Sequence, residues 1–268
     1  MNRTFDVKRQ TAFSAIAIIG FVLLYLPIAV LAVYSFNASE SLSSWAGFSW
    51  KWYASAWENA RIQDATFRSL QLAVIASIVS TAVAVLAALP TTRGAPWRGQ
   101  TLMSALINQP LMVPEIVTAV ALLVFFAMIK QATGYTGMGY LILAHSAFCI
   151  PFAYMPIRAR LQGMDLSLEQ AAADLYAPPA QVFFKVTLPL LYPGVLSGAM
   201  LAFVISLDDV VITEFLKSAG QDTLPTYMLG QIRRIITPEI NAIATALLAL
   251  SVLMVVAVFF LSRKPKEN

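Results

Sequence analysis

The chain has 268 residues, 59% of them hydrophobic and 12% charged, about half the charge of a soluble domain of this length, and its mean hydropathy is +0.71. Its solvent is therefore largely lipid, and the net charge of +4 reflects Lys and Arg in short loops, an orienting signal and not a nucleic-acid surface. One cysteine, Cys149, and one histidine, His145, exclude a disulfide framework and a zinc site built within this chain.

Lipid offers no partner to a stray backbone group, so the apolar runs are expected to be helices of roughly 20 residues. Six are read, giving an all-α polytopic membrane bundle that forms a single transmembrane domain over residues 1–268. The first, 12–36, follows Arg3, Lys8 and Arg9, is too long for a signal-peptide core, and starts from the cytoplasm. An outer loop, 37–67, holds Trp45, Trp50, Trp52 and Trp57 in an interfacial helix. Asn37-Ala38-Ser39 matches a glycosylation pattern of no consequence here. The second span, 70–89, is ended by Pro90 and followed by cytoplasmic Arg93 and Arg98. The third, 102–129, contains Pro110, Pro114 and Glu115. On the fourth, 140–157, His145 and Cys149 stand at i and i+4 and are read as packing and a hydrogen bond. A cytoplasmic loop, 159–191, precedes the fifth span, 192–215, where Asp208, Asp209 and Glu214 interrupt the apolar run. The sixth, 242–261, ends in Arg263, Lys264 and Lys266, so that 11 of the 18 basic residues lie inside and both termini are cytoplasmic.

The stretch from Asp165 to Pro193 is too long and too apolar for a simple connection, so something must cover it. Ser167 and Gln170 have capping-box spacing, which starts a short helix there; three alanines keep it slim, and Pro178 and Pro179 stop it. Phe183, Phe184 and Val186 offer anchors to a partner. The alternative is an amphipathic helix on the lipid surface, against which the poverty in Lys and Arg argues. The run EQAAADLYAPPAQVFFKVTLPLLYPGV resembles the EAA loop of type I ABC importer permeases. That resemblance implies a loop docking on a separate ATP-binding subunit, with Glu169, Ala171, Ala172 and Ala177 at the motif's coupling positions. Tyr176 stands where the motif usually has Gly, and Tyr takes a left-handed turn less readily, so either the local backbone or the facing pocket should differ. No G-x-x-x-x-G-K-[ST] run occurs. No cofactor and no catalytic residue are therefore expected in this chain, with ATP and Mg²⁺ held by the partner ATPase.

A charge within a span costs about 2.5 to 3.5 kcal/mol even on a lenient scale. Glu115 follows a P-x-x-x-P pair that loosens its helix. Asp208 and Asp209 lie about 100° apart and border one cavity from different faces. Unpaired carboxylates at this depth suit a cationic substrate, a proton or a cation from a partner chain, and the aspartates also mark a break between half-helices. The segments SLDDVVITEF, TLPTYMLGQIRRIITPEINAIATALL, GFSWKWYASAW, PEIVTAVALL and HSAFCIPFAY are similar to the second permease subunit of spermidine/putrescine importers. The resemblance implies polyamine handling by Ser206, Asp208, Asp209, Glu115 and Trp52, and location in a bacterial inner membrane. The partners it implies are a second, homologous permease, two ATP-binding subunits and an extracytoplasmic substrate-binding protein. Trp52, Tyr53 and Trp57 read either as aromatic faces for an alkylammonium chain or as an interfacial belt. Two other functions stay open: the same machine with another cargo (amino acid, thiamine or iron), and a proton-coupled secondary carrier.

Overall fold

The computed structural model describes residues 11–41, 44–233 and 238–262. Its regular structure is helical: α1 (Thr11–Tyr34), α2 (Lys51–Glu58), α3 (Ala60–Thr92), α4 (Gln100–Met112), α5 (Glu115–Thr133), α6 (Gly139–Gln162), α7 (Ser167–Asp174), α8 (Pro179–Val182), α9 (Leu188–Asp208), α10 (Val211–Leu216), α11 (Leu224–Ile232) and α12 (Pro238–Ser262). A π turn, Phe183–Thr187, joins α8 to α9. Among the described residues, six stretches are long and apolar enough to cross a membrane: Phe13–Tyr34, Ala60–Thr92, Glu115–Thr133, Gly139–Gln162, Pro179–Asp208 and Pro238–Ala257. The all-α polytopic reading holds.

Several boundaries move. The second span extends at both ends, and at its C-terminal end Pro90 is accommodated in the last turn of α3 as prolines are in membrane helices. The third span is two helices, since Val113 and Pro114 are extended, with ψ of 135° and 133°, and a residue before proline avoids helical geometry. The fifth span starts earlier, at Pro179, and stops at Asp208.

The chain divides into two compact units, Met1–Ala60 with Gln231–Ala249 and Arg61–Gly230 with Leu250–Asn268. In the first, the described side chains of α1 are exposed nearly all round, as on a helix whose solvent is lipid. The loop after it is tied by buried Asn37. Its Nδ2 donates to Ser44 O (2.7 Å), its Oδ1 accepts from Ala46 N–H (2.9 Å) and Ser39 N–H (3.2 Å), and its carbonyl accepts from Trp52 Nε1–H (2.8 Å). That asparagine is structural. Phe36, Phe48, Trp50 and Tyr53 form a ring cluster at centroid distances of 4.8–5.9 Å. Only Trp52 and Trp57 lie within α2; Trp50 precedes it, and Trp45 packs on Tyr34 earlier in the loop. The Ser55 hydroxyl donates to Glu239 Oε1 (3.1 Å), joining α2 to the start of α12.

The second unit is organised around α6 and α9. A Cβ on Gly198 would lie 2.7 Å from Ala153 O, and one on Gly194 would lie 2.6 Å from Arg160 Cβ, so only glycine allows the two backbones this close. Gly194, Gly198 and Ala202 repeat every four residues and make the small-residue seam that membrane helices use in place of a hydrophobic driving force. Helix α3 adds a stripe of buried Ala and Ser. It is joined to α9 by Ser77 Oγ donating to Ala199 O (2.6 Å) and to α6 by the Thr91–Tyr154 hydroxyl pair (2.9 Å).

Candidate functional site

The expected break in the fifth span is present. Helix α9 ends at Asp208, Asp209 is extended with ψ of 129°, and α10 restarts at Val211. Asp209 turns its carboxylate onto the new helix, where Oδ1 accepts from Thr213 N–H (3.0 Å) and from Thr213 Oγ1–H (3.1 Å). Thr213 Oγ1 lies 2.9 Å from His145 Nε2, and His145 Nδ1 lies 2.9 Å from Ser206 Oγ. With its proton given to Asp209, the Thr213 oxygen accepts from Nε2–H. Nδ1 then accepts from Ser206, a consistent assignment for a neutral imidazole. The relay Ser206–His145–Thr213–Asp209 is buried throughout and fastens α9, the break and α10 to α6.

The three carboxylates expected to border the path occupy different environments. Asp209 is buried, and its Oδ2 has no hydrogen-bond partner among the described residues. Asp208 is exposed and makes no ion pair among them. Glu115, half-buried, is the first residue of α5, where the helix dipole favours a carboxylate, and it lies beside Asp209. Glu214 is paired: Lys217 Nζ lies 2.6 Å from its Oε2 and 2.8 Å from Asp222 Oδ1. Partial burial pulls the Lys217 ammonium down, but the bonds to Asp222 and Glu214 outweigh it and hold the group above an ordinary lysine. His145 and Thr213 belong to this site although the sequence marked neither for it. The available signal was a lone histidine in an apolar span, needing partners that the hydroxyls of SLDDVVIT supply.

Trp52 belongs to the first unit. It is half-buried and donates to Asn37 O, with Lys51 Nζ 4.6 Å from its ring centroid.

In the loop between α6 and α9, α7 begins at Ser167 as expected, but not through a capping box. Asp165 Oδ1 accepts from Ser167 N–H (2.9 Å) and its Oδ2 from the Ser167 hydroxyl (2.7 Å), so Ser167 points away from the role its spacing with Gln170 suggests. The backbone bond and then the hydroxyl bond hold the Asp165 carboxyl below the usual carboxylate range. Glu169 faces its own chain. Its Oε1 accepts from Thr187 Oγ1–H (3.0 Å) and lies 3.9 Å from Arg93 Nη2, with both charged side chains largely covered. Ala171 is exposed, while Ala172 and Ala177 are half-buried. At the end of α7, Tyr176 N–H donates to Ala173 O (2.9 Å) and Ala177 N–H to Ala172 O (3.1 Å), the paired bonds of a Schellman motif that calls for a left-handed residue at Tyr176. Tyr176 adopts it, with φ of 57°, at a cost of about 1 kcal/mol over glycine. Of the two outcomes anticipated at this position, the backbone is therefore unchanged.

Six helical stretches long and apolar enough to cross a membrane, two of them meeting a helix break beside a carboxylate, make the chain a multi-pass membrane protein. It belongs to the family of binding-protein-dependent transport system inner membrane components, whose profile matches residues 80–264. It is 36% identical over 257 residues to the putrescine transport system permease protein PotI of Escherichia coli, with 94% of this chain and 92% of that one covered. It is 36% identical over 251 residues to the spermidine/putrescine transport system permease protein PotC of Haemophilus influenzae, with 94% and 96% covered. Among solved structures, a chain of a bacterial ABC transporter importing the acidic polysaccharide alginate superposes with a TM-score of 0.67 at 13% identity, covering 97% of this chain and 98% of its own length. A chain of the MetNI methionine ABC transporter gives 0.61 at 17% identity, covering 74% and 93%.

Proposed function

We propose that this chain is the transmembrane permease subunit of an ATP-driven polyamine importer and forms the path for putrescine or spermidine with a paired permease. The observation that carries this is 36% identity across 94% of the chain to permeases named for putrescine and spermidine transport. The cargo chemistry agrees, because a di- or triammonium chain needs carboxylates for its ends, and Asp208 and Glu115 offer them at helix breaks. Ser206 and Asp209 serve by fixing that break, and Trp52 offers an aromatic face to a methylene chain or ammonium.

Two ATP-binding subunits, a second permease and an extracytoplasmic substrate-binding protein complete the machine. ATP and Mg²⁺ reside on the ATP-binding subunits, and this chain does no hydrolysis. Both termini face the cytoplasm, a reading supported by the excess of basic residues on that side. The loop containing Ala171, Ala172 and Ala177 meets the ATP-binding subunit, while Glu169 fixes that loop to the bundle.

The test is ATP-driven uptake by the complete complex in proteoliposomes with its binding protein. Putrescine or spermidine should stimulate ATP hydrolysis and accumulate. A complex stimulated by neither, or one whose uptake follows a proton gradient without ATP, refutes the reading.

A further inference from the structure

Four helical threonines, Thr66, Thr91, Thr133 and Thr245, give their hydroxyl proton to the carbonyl four residues back, at 2.7–2.8 Å. Thr118 does not. Its Oγ1 is buried and has no hydrogen-bond partner among the described residues. Of the buried hydroxyls left in that state, Thr118 is the one on α5, where it stands one turn after Glu115 and next to wholly buried Ala119. Positions i and i+3 share a helix face, so Thr118 and Glu115 line the same packed side of α5.

Helix α10 packs on α5, and Asp209, at the break before α10, lies beside Glu115. Thr213 engages Asp209 Oδ1, whereas Oδ2, in a side chain only 2% exposed, has no partner. Neither carboxylate pairs with Lys or Arg among the described residues. His145 Nε2, 3.4 Å from Asp209 Oδ1, belongs to the neutral relay, and Lys217 is committed to Glu214 and Asp222. Asp208, one residue before Asp209, adds a further negative charge. Buried acceptors left empty are costly, most of all on a charged group. The group that would fill acceptors on three residues at once carries three N–H donors on a single positive nitrogen.

We propose that Glu115, Thr118 and Asp209 Oδ2 form a three-oxygen seat for one primary ammonium group, with Thr118 the specificity-determining residue that accepts the third N–H. The Thr118 hydroxyl accepts from the ammonium and gives its own proton to one of the two carboxylates. A secondary ammonium, with a methyl in place of one N–H, leaves one of the oxygens empty, and a site built to meet an N–H rejects the analogue that lacks it. This deepens the polyamine function proposed above and rests on it; Asp208 is left for the other end of a diammonium chain.

The experiment uses the complete importer in proteoliposomes, comparing native chain with Thr118→Val and Thr118→Ser. Uptake of putrescine and of N,N′-dimethylputrescine, whose two ends are both secondary, is measured at concentrations that saturate the binding protein with either. Thermal unfolding of the same complexes is followed alongside. The native complex should favour putrescine by about tenfold, the worth of one hydrogen bond to a charged donor. Thr118→Val keeps the side-chain shape and should bring the preference down to about threefold or less, mainly by slowing putrescine, whereas Thr118→Ser should restore it. Thr118→Val should unfold at the same or a higher temperature, because the hydroxyl has no partner to lose. A native complex without the preference, or a Thr118→Val preference equal to the native one, overturns the proposal. So does a Thr118→Val complex that unfolds at a lower temperature, which makes the hydroxyl structural. A native complex that imports neither diamine overturns the polyamine function itself.

Discussion

His145→Ala tests the relay behind the helix break. Ser206 Oγ donates only to His145 Nδ1 among the described residues, so the alanine leaves a buried hydroxyl without an acceptor, at about 1–3 kcal/mol. Thr213 loses one bond but keeps Asp209, for about 1 kcal/mol more. With the cavity left by the ring, the expected loss is about 3 kcal/mol, read from equilibrium unfolding in mixed micelles followed by near-UV circular dichroism. Ser206→Ala alone should cost about 1–2 kcal/mol, because it orphans Nδ1. The double variant should then cost less than the sum by about 1 kcal/mol or more, since each change removes the group the other strands. Additive losses, or a His145→Ala loss below about 0.5 kcal/mol, would show that the relay does not hold the break.

Gly198→Leu should abolish the α6–α9 seam and prevent a stable fold, whereas Gly20→Ala in α1, with open space around its Cβ, should change stability by less than about 0.5 kcal/mol; expression with thermal unfolding in detergent checks both. Asp208→Asn should leave folding unchanged and cut polyamine uptake about tenfold or more, as expected for losing one charged contact, while Asp209→Asn should lower stability and uptake together. Arg93→Ala should cost about 1 kcal/mol and leave basal ATP hydrolysis while reducing uptake, and exchanging the charges as Arg93→Glu with Glu169→Arg should restore part of it. Because the folded Asp165 carboxyl is held down, its tie to Ser167 is present above the ordinary aspartate range and is lost as pH falls through the lowered value. Hydrogen exchange should therefore find the start of α7 unchanged between about pH 5 and 8 and frayed only in acid.

The membrane helices were legible because lipid allows an apolar chain no other regular structure, and the break at Asp208 and Asp209 was legible because a charge in a span demands an account. The break at Pro114 was not located, since Pro110 stands four residues before it and sits inside α4 without ending it. The extra turns at the start of α3 carry Arg61, Asp64 and Arg68, so hydropathy alone hides them. Ser167 matched a capping-box spacing, yet Asp165 two residues earlier offered a charged acceptor that took the same amide. The part of His145 in the site depends on Ser206 and Thr213, more than sixty residues away in the chain, and no local pattern encodes that meeting.

An eight-residue helix has little stability of its own, so α7 can deliver a displacement only if it is fastened along its length. Asp165 ties its first turn, the Schellman bonds close its last, and between them Glu169 reaches Thr187 in the π turn and Arg93 just beyond α3. Arg93 also donates to Met164 O (3.4 Å), next to the end of α6. The motif glutamate is thus the point where the loop is made continuous with three membrane helices. Under the proposed function, a push on the α7 loop would be carried to α3 through Arg93 and to α9 through Thr187. It would enter α9 through the π turn Phe183–Thr187, a helix irregularity of the kind found often at functional sites. The far end of the same helix is Asp208. Under the proposed function, a movement received at the α7 loop would reach the carboxylates because α9 is gripped at both ends: by Glu169 through Thr187, and by His145 through Ser206.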